Sequence, residues 1–172
     1  MQIKPLLGTI ALAIALPSAA LAAGTHAGGH GHDKAGHVQD GGHHAMMKIG
    51  QPAKAAPTRT IEITMRETED GRMIFEPGDL KFAPGETVRL KITNAGETDH
   101  EFVMDTVDAI EEHKALMEKF PEMEHDDPNA VRLRPGETGE ILWTFGEAGT
   151  FKYACLIPGH HDAGMHGPLH VN

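Results

Sequence analysis

From Thr58 to Asn172 the chain is written in short runs that suit strands. Thr60-Ile-Glu-Ile-Thr-Met65 and Thr87-Val-Arg-Leu-Lys-Ile-Thr93 alternate apolar and polar residues, while Glu140-Ile-Leu-Trp-Thr-Phe145 and Thr150-Phe-Lys-Tyr-Ala154 are rich in β-branched and aromatic side chains. A period of two sends one set of side chains into a core and the other into water. Each run is bounded by turn chemistry: Glu69-Asp-Gly71, Ala83-Pro-Gly-Glu86, Asn94-Ala-Gly96, Arg134-Pro-Gly-Glu137 and Glu147-Ala-Gly149. About seven strands over roughly 115 residues predict an all-β protein, a Greek-key β-sandwich with its core between two sheets. One segment breaks the pattern. Thr106 to Phe120 has no turn residue and sets Val107, Ile110, Met117 and Phe120 at helical spacing, so a helix inserted near 106–120 is expected, stopped by Pro121. Its charged residues, Glu111, Glu112, Lys114, Glu118 and Lys119, read as the solvated face.

The first 58 residues follow other rules. Lys4, an apolar run from Leu6 to Leu16, Pro17 and the small residues Ser18 to Ala23 read as a secretory signal peptide, with Ala20-Leu21-Ala22 placing cleavage after Ala22. The apolar run falls well short of the roughly twenty residues a membrane-spanning helix needs, so no anchor is expected after cleavage. Residues 23–58 are dominated by Gly, Ala and His, without periodicity, and are expected to be a disordered tail and linker ahead of a folded domain at 59–172. The tail carries His26, His30, His32, His37, His43 and His44, then Met46 and Met47, imidazole and thioether donors of the kind that hold soft and borderline metal ions, copper among them, loosely.

The formal charge is −10, which disfavours nucleic acid as a partner and favours cations. Export implies an oxidising compartment, the periplasm, where cysteines normally pair, yet Cys155 stands alone. Metal ligation is one way to occupy such a thiol. Cys155-Leu-Ile-Pro-Gly-His160-His-Asp-Ala-Gly-Met165 places a thiolate, an imidazole and a thioether on one loop turned by Pro158-Gly159 and Ala163-Gly164; His100 sits in a strand-like stretch upstream. Copper takes this mixture of a soft thiolate, two imidazoles and a weak thioether, whereas structural zinc gains little from the thioether. The metal set is therefore His100, Cys155, His160 and Met165, with His161 the rival for the second imidazole.

Thr98-Asp-His100-Glu-Phe-Val-Met104, Tyr153-Ala-Cys155-Leu-Ile-Pro-Gly-His160 and Ala163-Gly-Met165-His-Gly167 together resemble the cupredoxins, the type 1 blue or green copper proteins, over about Thr58 to Asn172. With the His- and Met-rich leading segment, the chain is most similar to periplasmic copper-tolerance cupredoxins. The resemblance implies one type 1 copper per domain, with His100 and His160 as imidazole ligands, Cys155 as the equatorial thiolate and Met165 as axial donor. Many blue copper proteins carry Asn directly after the first histidine; here it is Glu101, which puts the bracing at that position in question. The implied function is copper tolerance or homeostasis by binding and redox cycling of copper in the periplasm. The alternative is one-electron transfer between periplasmic partners, a redox or copper-export protein being the kind of partner in view. No enzyme activity on an organic substrate is expected, because Cys155 is flanked by Ala154 and Leu156 rather than by the histidines that link a type 1 centre to a trinuclear cluster. A monomer is expected. A second copper site at His113, Met117, Met123 and His125 is weighed and set aside, since Met117 belongs to the helix's apolar stripe.

Overall fold

In the computed structural model, residues 47–123 and 126–172 are described. Ten strands and one helix follow in the order β1 (Gly50–Pro52), β2 (Arg59–Glu67), β3 (Met73–Glu76), β4 (Leu80–Phe82), β5 (Thr87–Asn94), β6 (His100–Asp105), α1 (Val107–Lys119), β7 (Ala130–Leu133), β8 (Thr138–Phe145), β9 (Gly149–Ala154) and β10 (His166–Val171). They form two five-stranded sheets, β1-β8-β5-β2-β3 and β4-β10-β9-β6-β7. β2 runs parallel to β5 and β4 parallel to β10, while the other pairings are antiparallel. The all-β sandwich with one inserted helix is as the sequence predicts.

The alternation seen in the sequence becomes the wall between the sheets. Ile63 and Met65 of β2, Leu90 and Ile92 of β5, and Ile141, Trp143 and Phe145 of β8 face Phe102 and Met104 of β6, Phe151 and Tyr153 of β9, and Leu169 and Val171 of β10. Each large apolar side chain buried this way contributes about 1.5–3 kcal/mol. The outward member of the same alternation, Leu142, stays exposed. Both Pro-Gly-Glu turns close on themselves in one manner: Glu86 accepts the Ala83 amide through Oε2 at 2.9 Å, and Glu137 the Arg134 amide at 2.9 Å. The repeated motif is thus turn chemistry.

The structure corrects the sequence reading in three places. There are ten strands rather than about seven, because β1, β3 and β4 are only three or four residues long and too short to display a period. The stretch expected as linker contributes to the fold at its end: Ile49 is fully buried, its carbonyl accepts from Trp143 Nε1 at 3.2 Å, and β1 pairs with β8. In α1, capped by the Thr106 side chain on the Ala109 amide, only Ile110 and Met117 are buried. Val107, the first residue of the helix, and Phe120, its C-cap, are exposed. Lys114 reaches back from the charged face to Asp162 at 2.7 Å. Residues 1–46, with the leader and the histidine-rich tail, and Glu124 and His125 lie outside the described residues. No described helix is long and apolar enough to cross a membrane.

Candidate metal centre

His100 opens β6, and Cys155 follows directly on β9, the strand paired antiparallel to β6 with Val103 opposite Ala154. The pairing brings residues far apart in sequence to one end of the sandwich. From Cys155 the chain leaves the sheet, turns at Gly159 and Gly164, both with positive φ, and returns as β10. The Cys155 amide donates to the Met165 carbonyl at 3.0 Å and the Met165 amide to the His160 carbonyl at 3.1 Å, so the loop is closed at its neck.

Within this loop His160 Nδ1 lies 3.2 Å from His100 Nδ1 and 3.4 Å from Cys155 Sγ. The ligating atoms of His100, Cys155 and His160 all fall within 4.8 Å of one another, the one such group of three among the described residues. Two nitrogens each roughly 2.0 Å from a common ion, at angles of 105–120°, stand about 3.2–3.5 Å apart, so the spacing fits a single metal. His100 and Cys155 are fully buried and His160 partly so. Met165 is also fully buried, in the same cluster of side chains as Cys155. His161, the rival imidazole, turns away: its ring stacks on His166 at 4.3 Å between centroids, and its Nδ1 lies 3.6 Å from Asp162. His170 is partly exposed, 3.7 Å from Asp79.

The electrostatics suit metal uptake. Burial pushes both imidazoles below the usual histidine range, with Glu67 opposing the shift at His100 and the His100 ring adding to it at His160. Both rings are thus neutral, with lone pairs to offer. Burial also pushes the Cys155 thiol up to about 12, so the metal-free site holds a thiol whose proton a metal must displace. Coordination by a cation deprotonates such a thiol outright.

Around this set, Glu101 supplies the bracing that its residue type put in question. Its amide donates to Cys155 Sγ at 3.3 Å, and its buried carboxylate accepts the Leu156 amide at 3.2 Å, so one residue holds both the sulfur and the chain leaving it. Asn94, fully buried, shapes the turn before His100: its Nδ2 donates to the carbonyls of Thr98 and Leu133, and its Oδ1 accepts from Gly96. Sequence reasoning missed Glu67 altogether. This residue ends β2, accepts the amides of Glu97 and Thr98 and the Thr98 hydroxyl, and lies 3.2 Å from His100 Nε2. No local signal could have found it, since a Glu closing an alternating strand looks solvated until the 94–98 turn folds over it. The second cluster set aside from sequence is not assembled among the described residues. Met117 is buried with Val103, Ile110, Ala154 and Leu156; His113 faces a separate recess with Met47, Asp105 and Asp127; and Met123 is exposed.

A two-sheet sandwich whose neighbouring strands and one loop deliver a His-Cys-His cluster to one end defines a cupredoxin. Residues 62–172 match the family described as copper binding proteins, plastocyanin/azurin family. The chain belongs to that family, and its cofactor is a type 1 copper. It is 42% identical over 147 residues to the copper-resistant cuproprotein CopI of Rubrivivax gelatinosus, covering 85% of this chain and 80% of that one. It is 33% identical over 153 residues to the CopI of Pseudomonas aeruginosa, covering 72% and 82%. These relatives are named as copper-binding proteins rather than enzymes. Among solved structures, auracyanin B superposes with a TM-score of 0.57 at 24% identity, covering 72% of this chain and 96% of that one. The dithionite-reduced auracyanin of Roseiflexus castenholzii gives 0.56 at 22%, covering 68% and 99%. At that identity the likeness is one of fold.

Proposed function

We propose that this protein is exported to the periplasm and holds copper through His100, Cys155 and His160 with Met165 as a weak fourth donor, serving copper tolerance by binding and redox cycling the metal. The observation that carries the reading is the His-Cys-His cluster, with Nδ1 atoms 3.2 Å apart and sulfur 3.4 Å from one of them. When bound, copper supplies one-electron exchange between Cu(I) and Cu(II). The chain does the rest. His100 at the start of β6 and Cys155 directly after the paired β9, both buried, keep one donor geometry for either charge state, so little reorganisation accompanies the exchange. Ala154 and Leu156 beside Cys155 offer no imidazole through which a further metal could be reached.

Two features support tolerance over a purely electron-carrying role: the histidine- and methionine-rich segment after the leader as a capture arm for additional ions, and relatives named as copper-resistant. The partly exposed His160 edge favours the second reading, one-electron transfer to a periplasmic partner, because outer-sphere exchange needs a ligand at the surface. A deletion strain separates the two. Copper sensitivity restored by the wild-type gene, but not by Cys155→Ser, is expected; normal copper tolerance together with loss of a respiratory activity would overturn the proposal in favour of electron transfer.

A further inference from the structure

We infer that Glu67 is a positioning residue for the copper centre: its carboxylate holds the proton of His100 on Nε2, leaving Nδ1 free for the metal and strengthening it as a donor. The inference rests on His100 being a ligand, as proposed above.

The argument is an accounting of one buried nitrogen. His100 is fully buried, and its Nε2 has no well-aligned hydrogen bond in the described structure. A buried ring N–H without a partner is costly, so its nearest acceptor matters. That acceptor is Glu67 Oε1, at 3.2 Å. The space beside the nitrogen is closed by Gly96: a Cβ built there would stand 2.8 Å from His100 Nε2 and overlap Glu67 Oε2. Backbone therefore covers the contact where water would otherwise enter. The carboxylate is itself held in place, Oε2 by the Glu97 amide at 2.9 Å and Oε1 by the Thr98 amide at 3.1 Å and hydroxyl at 2.7 Å. Those three donors and the ring N–H fill the roughly four lone-pair positions a carboxylate offers. The other ring nitrogen, Nδ1, is the atom that faces His160. A carboxylate on the far nitrogen fixes the tautomer of a ligating imidazole and raises its basicity, and removing such a partner commonly costs 10–100-fold in metal affinity. Because the stronger donor favours the more highly charged ion, Glu67 biases the site toward Cu(II).

The test uses the full chain. Nitrogen NMR of the copper-free protein is expected to find His100 protonated on Nε2 and bare on Nδ1; the opposite tautomer in wild type would overturn the inference without any variant. Glu67→Gln is expected to lower Cu(II) affinity 10–100-fold, measured by competition with a chromophoric chelator. The Cu(II) to Cu(I) affinity ratio is expected to fall about tenfold, a rise of about 59 mV in reduction potential for one electron. Gly96→Ala, which displaces the contact but keeps the charge, should move the ratio in the same direction. Glu86→Gln, which alters a turn-bracing Glu that makes its bonds to Arg59 and the Ala83 amide, should leave the ratio within twofold. A ratio unchanged in Glu67→Gln, or changed equally in Glu86→Gln, would reduce Glu67 to a turn brace and overturn the inference. Failure of the ligand assignment looks different, since wild type would then lack the thiolate-to-copper band or His100→Ala would keep it unaltered.

Discussion

Glu101 and Cys155 are joined twice, once by the Glu101 amide on the sulfur at 3.3 Å and once by the Glu101 carboxylate on the amide that follows Cys155 at 3.2 Å. The first bond is backbone and survives a change of side chain to any residue with an amide N–H, whereas the second belongs to the side chain. Glu101→Ala should therefore leave the sulfur's donor in place but free the Leu156 amide inside the protein. A lost bond to a charged, buried group costs about 1.5–3 kcal/mol, read as a lower denaturation midpoint of the copper-free protein. Glu101→Gln keeps an acceptor and should recover most of that loss. Equal stability of Glu101→Ala and wild type would refute the bracing role.

Cys155→Ser should abolish the intense thiolate-to-copper band on copper addition while leaving the far-ultraviolet spectrum of the sandwich intact. His160→Ala should do the same or nearly so. His161→Ala, which breaks only a stack with His166 and a contact with Asp162, should retain the band. Absorption spectra after loading would decide; a band lost in His161→Ala and kept in His160→Ala would reverse the assignment.

Copper uptake should release a proton. The Cys155 thiol, pushed up to about 12 by burial, is protonated at pH 7, and both ring nitrogens are already bare. Binding therefore expels close to one proton, and apparent affinity should rise about tenfold per pH unit through neutrality. Calorimetry in buffers of different ionisation enthalpy measures the number directly. A value near zero would mean that the thiol is already ionised in the metal-free protein.

Acid should loosen the Ala83–Glu86 turn. The bond to Arg59, with the Ala83 amide and against the opposing cost of burial, holds the Glu86 carboxyl below its ordinary value. A carboxyl whose folded pKa is depressed contributes stability that is full above the unfolded value of about 4.5 and is lost as pH falls through the folded one. Glu86→Gln should thus destabilise the protein at pH 7 and flatten the stability curve below pH 4.5. Parallel curves for the two proteins would show that the turn does not depend on the charge.

Ile49, outside the expected domain, is as buried as any residue of the sheets. Ile49→Ala should cost about 2–5 kcal/mol by thermal or denaturant unfolding, as for other large-to-small changes in a core. A cost under about 0.5 kcal/mol would return residues 47–52 to the linker.

How much of this was legible in the sequence depends on the range of each interaction. The alternation in β5 and β8 announces itself because eight residues display four periods of two. β1 and β4, at three residues, display none; their place is fixed by partners, β8 and β10. The copper loop was legible because Cys155, His160 and Met165 lie on one continuous segment with its own turns. After the Gly159 turn it is His160 that joins His100 and Cys155, while His161 stacks on His166. Glu67 stayed hidden because it meets Thr98 across 31 residues, through the parallel register of β2 on β5. The helix stripe misled at Val107 and Phe120, since helical spacing says which side a residue is on and not whether the helix is covered along its whole length.

The uneven burial of the centre has a kinetic side. His100, Cys155 and Met165 are shut in, and His160 alone of that set reaches the boundary with solvent. Under the proposed function, that ring is the ligand an arriving ion would meet first and the one nearest a redox partner at the surface. Ions and electrons would then share a single side chain, so a substitution of His160 that changes copper uptake should change electron exchange as well.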